Sequence, residues 1–300
     1  MMEGHSPIDS RKGPLTNAMI LLRTQAIDRD MAEFAQCLGA WAGAPVVLIM
    51  DERNGPVDCG ALPKISLTRK ACENIGLYCP DDFAWRCGDY GFYLARHAFG
   101  EVQQFWMIES DVRIGGSDPA SFFRFFADKP HDFLASYIAV TSSDWYWHRS
   151  ATSRDHDVLK CFFPVCRLNR TAIDKLFAAR LRHGQQWSRR HFWANDEAFV
   201  ATGVAASGLT FADLNSLGRK TYDTSEYSFE TLRDANEPLP DRSGAALFHP
   251  VLAGENLAQK RARLSLRAQP KSRWQRMKIM LDQKIGLSAL SAGINAVSPW

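Results

Sequence analysis

The chain has 300 residues, 46% of them hydrophobic and 23% charged, with a formal net charge of +3. That composition supports a sizeable core and excludes a disordered chain, and no run approaches the roughly 18 apolar residues of a membrane span. The charge is uneven. Residues 257–300 carry nine Lys/Arg against the single acid Asp282, so the first 256 residues hold 27 basic and 32 acidic side chains. A net basic excess confined to the tail, without a recognised motif, argues against nucleic-acid binding. Seven scattered cysteines without a C-x-x-C pair fit a reduced cytosolic chain better than a disulfide framework or a zinc site.

Residues 1–16 are polar, lack the apolar core of a signal peptide and read as a flexible N-terminus. Ala18 to Leu22 reads as a first strand ending in Arg23-Thr24. Asp28 caps a helix with Met31, Phe34, Leu38 and Trp41 on one face, broken by Gly43 and Pro45. Val46 to Met50 is a second strand, ending in Asp51-Glu52. Strand, helix, strand favours a right-handed parallel crossover. A loop over 53–64, a short strand at Ile65 to Leu67 and a helix over Arg69 to Ile75 follow. Asp89 then caps a helix that places Phe92, Ala95 and Phe99 together.

The stretch Phe105-Trp106-Met107-Ile108-Glu109-Ser110-Asp111-Val112-Arg113 is the centre of the pattern. Four apolar residues deliver two carboxylates, two positions apart, where polarity returns. A run of this kind reads as a strand over 105–112 buried on both faces. Alternation would place Glu109 and Asp111 on one side, at the carboxyl edge where open α/β sheets bind ligands. Carboxylate oxygens suit magnesium or manganese. An ordinary acidic strand end has the same spelling.

Asp118-Pro119 opens a phenylalanine-rich helix, and Phe133 to Val140 is a strand. Residues 144–156 form a polar loop carrying Trp145, Tyr146, Trp147, His148 and His156, and Phe162 to Val165 is a strand interrupted by Pro164. A helix spans Thr171 to Arg182, and Asn195 caps another through Ala206, stopped by Gly208. Leu209 to Leu214 reads as a strand and 215–245 as loop. Apolar residues return at Leu247 to Val251, around His249. A further helix at 272–285, with Trp274, Met277 and Leu281 on one face, suits an anionic membrane surface, the body of the protein or a second subunit.

Two motifs carry a resemblance to the GT-A glycosyltransferases over roughly residues 17–252. Residues 106–113 resemble that family's metal-binding motif, with Glu109 in place of the usual first Asp, and Asn195-Asp196-Glu197-Ala198-Phe199 is similar to the helix start of core-2-type branching enzymes. The core-2 enzymes work without a metal, so the two motifs do not normally occur together. The resemblance implies a mostly parallel α/β sheet flanked by helices over 17–256, followed by a basic helical tail over 257–300. It implies a nucleotide-sugar donor, Mn2+ or Mg2+ held by Asp111, Glu109 and His249, and Glu197 or Asp196 as catalytic base. Thr24, Asp51 and Arg113 would meet the nucleotide.

Trp145 and Trp147 suit an acceptor wall, since aromatic faces stack on sugars, or a small satellite core. The expected acceptor is a glycan or a lipid-linked molecule, in surface polysaccharide synthesis, with the protein cytoplasmic and resting on the inner membrane face through its tail. Two rivals remain: an inactive nucleotide- or glycan-binding protein of the same fold, and a glycoside hydrolase using two carboxylates.

Overall fold

The computed structural model describes residues 15, 17–152 and 156–268. The helix expected at 272–285, and the N-terminal stretch apart from residue 15, lie outside the described residues. Strand β1 (Ala18–Thr24) is buried throughout, as a central parallel strand requires. Asp28 accepts the Met31 N–H at 2.8 Å and starts α1 (Arg29–Ala42), which ends at Gly43 with φ 60°. Then come β2 (Val46–Asp51), β3 (Lys64–Leu67), α2 (Arg69–Asn74), α3 (Phe83–Arg86), α4 (Tyr90–Ala98), β4 (Gln104–Glu109), β5 (Arg113–Gly115) and α5 (Ser121–Phe126). The second half runs β6 (Phe133–Val140), α6 (His148–Ala151), β7 (Leu159–Asn169), α7 (Arg170–Gln185), α8 (Trp187–His191), α9 (Asp196–Ala206) and β8 (Phe211–Asp213). It closes with β9 (Tyr222–Tyr227), β10 (Arg233–Asp234), β11 (Ala246–His249), β12 (Val251–Leu252) and α10 (Gly254–Ala268).

Among the described residues, seven strands form the main sheet in the order β3-β2-β1-β4-β7-β6-β8. β3, β2, β1 and β4 are parallel, and β7 runs antiparallel to both β4 and β6. The mostly parallel, helix-flanked α/β architecture is as expected. Strand alternation divides the core into two apolar layers. Leu21, Ile49 and Met107 face one layer, with Phe92, Leu176 and Val200 from α4, α7 and α9. Leu22, Leu48 and Trp106 face the other, with Leu38 of α1 and Phe122 of α5.

Four expectations change. The central strand stops at Glu109, and Asp111 sits on a turn in which the Val112 N–H donates to the Glu109 carbonyl at 3.0 Å. Strand alternation therefore does not place Asp111. β7 passes through Pro164 unbroken, because its pairing with β6 skips from Cys166 to Phe162 and needs no N–H from that residue. Asp89 makes no capping bond; its carboxylate takes the buried Arg180 guanidinium at 2.7 and 3.0 Å and the Tyr93 hydroxyl at 2.8 Å. The expected loop over 215–245 contains β9 and β10. β9 and β11 join β5 in a small sheet, with β11 parallel to β9 and antiparallel to β5.

Candidate active site

That small sheet assembles the site. β1, β2 and β4 end side by side, and Glu109 stops β4 at their carboxyl edge. β11 pairs with β5 so that Phe248 faces Arg113, and the Val251 N–H donates to the Asp111 carbonyl at 2.7 Å. His249 is thereby carried to Asp111, its Nε2 3.3 Å from Oδ2. One ligand atom each from Glu109, Asp111 and His249 falls within a mutual 4.8 Å.

A cavity of about 500 Å³ opens above these groups. Its floor holds Glu109, Asp111 and His249, one side holds Asp196 and Glu197 from the first turn of α9, and Trp85, Tyr146, Trp147 and Phe229 stand toward the mouth. The Trp85 and Trp147 rings are 6.1 Å apart, and the Arg86 guanidinium lies 5.3 Å from the Trp147 ring.

The buried charge is balanced by Arg23, at the end of β1. Its Nη1 donates to Glu109 at 2.6 Å and its Nη2 to the Ala84 carbonyl. Asp196 Oδ2 accepts the Gly88 N–H at 2.9 Å, and a Cβ at Gly88 would collide with both that oxygen and Arg23 Nη1. Glycine is what allows the backbone so close to the acid–guanidinium pair. Burial pushes the Glu109 carboxyl well above its ordinary value, with Arg23 pulling the other way. Burial likewise raises Asp196 to about 6 against the opposing Arg23 charge. Glu197 is pushed up to about 8 by burial and then by the Asp196 charge, partly offset by the Asn195 amide, which donates to it at 3.3 Å. Burial works to raise Asp111, but the neighbouring His249 together with Lys260 and a backbone N–H holds the carboxyl below its ordinary value.

The donor set fits a divalent cation. Two carboxylates and an imidazole are the ligand types of manganese or magnesium sites that also hold phosphates. Asp111 Oδ1 is buried and has no hydrogen-bond partner, which is costly unless a cation meets it. His249 Nδ1 is 3.2 Å from the Ser228 carbonyl. A proton on Nδ1 leaves Nε2 as the ligand nitrogen, the second-shell arrangement common to metal-bound histidines.

No protein-family model matches the chain, and no curated protein matches it. Solved glycosyltransferases are similar to it. Core-mannan synthase A (CmsA/Ktr4) from Aspergillus fumigatus, in its Mn/GDP form, matches 71% of this chain and 78% of its own at 10% identity, with a TM-score of 0.43. A glycosyltransferase involved in glycosylation of the PBCV-1 major capsid matches 65% and 81% at 12% identity, with a TM-score of 0.35. The mannosyltransferase Ktr4p from S. cerevisiae, in complex with GDP, matches 72% and 74% at 10% identity, with a TM-score of 0.38. Identities and TM-scores this low leave the functional case to the residues of the cavity.

Of the residues singled out in the sequence, Glu109, Asp111, Asp196, Glu197, His249 and Trp147 meet in this cavity. Trp145 lines an adjoining cleft instead. Thr24, Asp51 and Arg113 do not line the cavity, and each is otherwise engaged. The Thr24 hydroxyl donates to the Ala26 carbonyl at 2.7 Å, and Asp51 is clamped by Arg53 at 2.7 and 2.9 Å. Arg113 braces the Asp111 turn through the Ser110 and Val112 carbonyls, at 2.7 and 2.8 Å, with its guanidinium 4.6 Å from the Phe34 ring.

Sequence reading passed over Arg23, Arg86, Gly88 and Lys260. Arg23 gave one signal, a basic residue ending a buried strand. Lys260 stands in the stretch expected to be tail, yet α10 brings it to the cavity wall.

Proposed function

We propose that this protein is a glycosyltransferase that moves a sugar from a nucleotide-sugar donor to the hydroxyl of a glycan or lipid-linked acceptor. The observation that carries the reading is the partnerless Asp111 Oδ1 beside Glu109 and His249, in the same cavity as Glu197. A cation centre and a separate carboxylate are the two requirements of this chemistry: one neutralises a departing diphosphate, the other takes a proton.

Asp111, Glu109 through the oxygen not held by Arg23, and His249 Nε2 would hold Mn2+ or Mg2+. When bound, such an ion supplies Lewis-acid stabilisation of the diphosphate charge. In its ionised form, which gains population as pH rises toward about 8, Glu197 accepts the proton of the acceptor hydroxyl as that oxygen bonds to the anomeric carbon and the bond to the nucleoside diphosphate breaks. Asp196 is not the base in this scheme. Both of its oxygens already accept backbone N–H groups, from Gly88 at 2.9 Å and Glu197 at 2.8 Å, so it positions the start of α9.

One observation favours the hydrolase rival: a carboxyl raised to about 8 is also what a general acid requires. Turnover separates the two. With Mn2+ present, wild type should release nucleoside diphosphate from a UDP- or GDP-sugar. Glu197→Gln should lose about 100-fold or more of that release while still binding the nucleotide. Cleavage of an aryl glycoside without metal, and no release from any nucleotide sugar, would assign the site to hydrolysis.

A further inference from the structure

Beyond Glu197 the cavity continues into a second cleft of about 480 Å³, which shares Glu197, Phe162 and Phe229 with it. The walls of this cleft differ in kind from the cation centre. Ile138, Ala139, Cys161 and Phe162 supply an apolar floor, with Trp145 and Phe229 along its sides. Its charged groups, Lys160 and Glu197, contrast with the several carboxylates of the first cavity. Phe229 is 54% exposed at the junction, an apolar ring presented to solvent where the two spaces meet.

The backbone here is irregular in a specific way. The pairing of β6 with β7 shifts register twice, between Ala135 and Ser136 and between Ser136 and Ala139. Within the second shift Tyr137 adopts φ 55°, a left-handed conformation that a bulky residue rarely takes. The strain is held in place. The Tyr137 N–H donates to the Tyr222 hydroxyl at 3.1 Å, its own hydroxyl donates to the Tyr227 carbonyl at 2.6 Å, and its ring lies 4.6 Å from that of Tyr222. Bulges re-aim side chains, and imposed strain gathers where a binding surface must keep its shape. The distorted segment is the one that lines the cleft.

We infer that this cleft binds an apolar group attached to the acceptor, an alkyl, prenyl or aryl aglycone, so that the acceptor's reacting hydroxyl meets Glu197. The inference rests on the transferase reading for the word acceptor. A purely saccharide ligand would need hydrogen-bonding groups along its length. Lys160, Thr224 and Ser228 add polar side chains to the cleft, and the Tyr137 hydroxyl is spent on the Tyr227 carbonyl, but the floor of Ile138, Ala139, Cys161 and Phe162 offers a saccharide no hydroxyl, amide or charge. The continuity of the cleft with Glu197 selects the acceptor rather than the donor, whose diphosphate belongs beside Asp111.

The test is calorimetric titration of octyl β-glucoside, below its micelle concentration, and of methyl β-glucoside, with UDP and GDP titrated in parallel in the presence of Mn2+. The octyl compound should bind about tenfold or more tightly than the methyl compound, the equivalent of burying two methylenes. Ala139→Glu, at an exposed position of the cleft, should abolish that preference with an unchanged melting temperature, and Trp145→Ala should reduce it. Equal binding of the two glucosides, or an octyl preference that survives Ala139→Glu, overturns the inference. Failure of both nucleotides to bind would instead remove the transferase reading, and the octyl-to-methyl ratio would still judge the cleft.

Discussion

Asp196 and Glu197 are adjacent acids in the same helical turn, yet their surroundings divide their roles. Asp196 is anchored by two N–H groups and faces Arg23, whereas Glu197 has one side-chain donor and a cavity in front of it. The raised value of Glu197 has a consequence for stability. The folded chain keeps this proton up to about pH 8, while the unfolded chain releases it near its ordinary value. Stability is therefore greatest at low pH with respect to this group and falls as pH rises toward 8. Glu197→Gln should flatten that fall, by up to about 4 kcal/mol, and melting temperatures of both proteins between pH 5 and 9 measure it. Parallel pH curves would show the carboxyl to be ionised already. Arg23 gives the second test at this scale. Arg23→Met leaves Glu109 and Asp196 buried without their cation and should cost about 3–5 kcal/mol, measured by denaturant unfolding. A loss below 1 kcal/mol would mean that both acids sit protonated.

At the scale of elements, helix α9 begins where it does because the Asn195 side chain accepts the Ala198 N–H at 3.1 Å. The same residue's amide steadies Glu197. Asn195→Ala should cost about 1 kcal/mol of stability and raise the Glu197 value further, shifting the acidic limb of the activity profile, where a base gains its proton, to higher pH. An unchanged profile with the stability loss alone would confine Asn195 to capping. This start was legible in the sequence because a capping residue followed by acids is a local signal. So were β1, α1, β2 and β6, whose apolar runs and breakers are contiguous in the chain. Asp111 was paired with Glu109 through strand alternation, yet it sits on a turn after β4, which alternation along a strand cannot foresee. The continuous β7 was hidden because Pro164 reads as a breaker until a register skip in its partner is known. β9 was missed for a similar reason: its Tyr-Asp-Thr-Ser-Glu-Tyr run is polar between its ends and gains its order from pairing with β11. Arg23 and Gly88 could not be recognised from spacing, because their meaning lies in contacts 61 to 108 residues away along the chain.

Across the whole molecule, the small sheet and α10 complete a site that the main sheet only begins. The main sheet provides Glu109 and the edge, β11 returns His249 from late in the chain, and α10 sets Lys260 against the cavity wall. No described helix is long and apolar enough to cross a membrane. Lys260 adds positive potential toward Asp111, where an anionic nucleotide would enter. Lys260→Ala should weaken nucleotide binding by about two- to fivefold, with a shallower salt dependence than wild type. Equal affinities at low salt would separate α10 from the donor site.

The measurement that bears most directly on the central claim is calorimetric titration of UDP and GDP, with and without Mn2+, on wild type and Asp111→Ala. The account predicts that one nucleotide binds only when the metal is present and that the Asp111→Ala protein binds neither. Nucleotide binding that needs no metal and survives the substitution would contradict it.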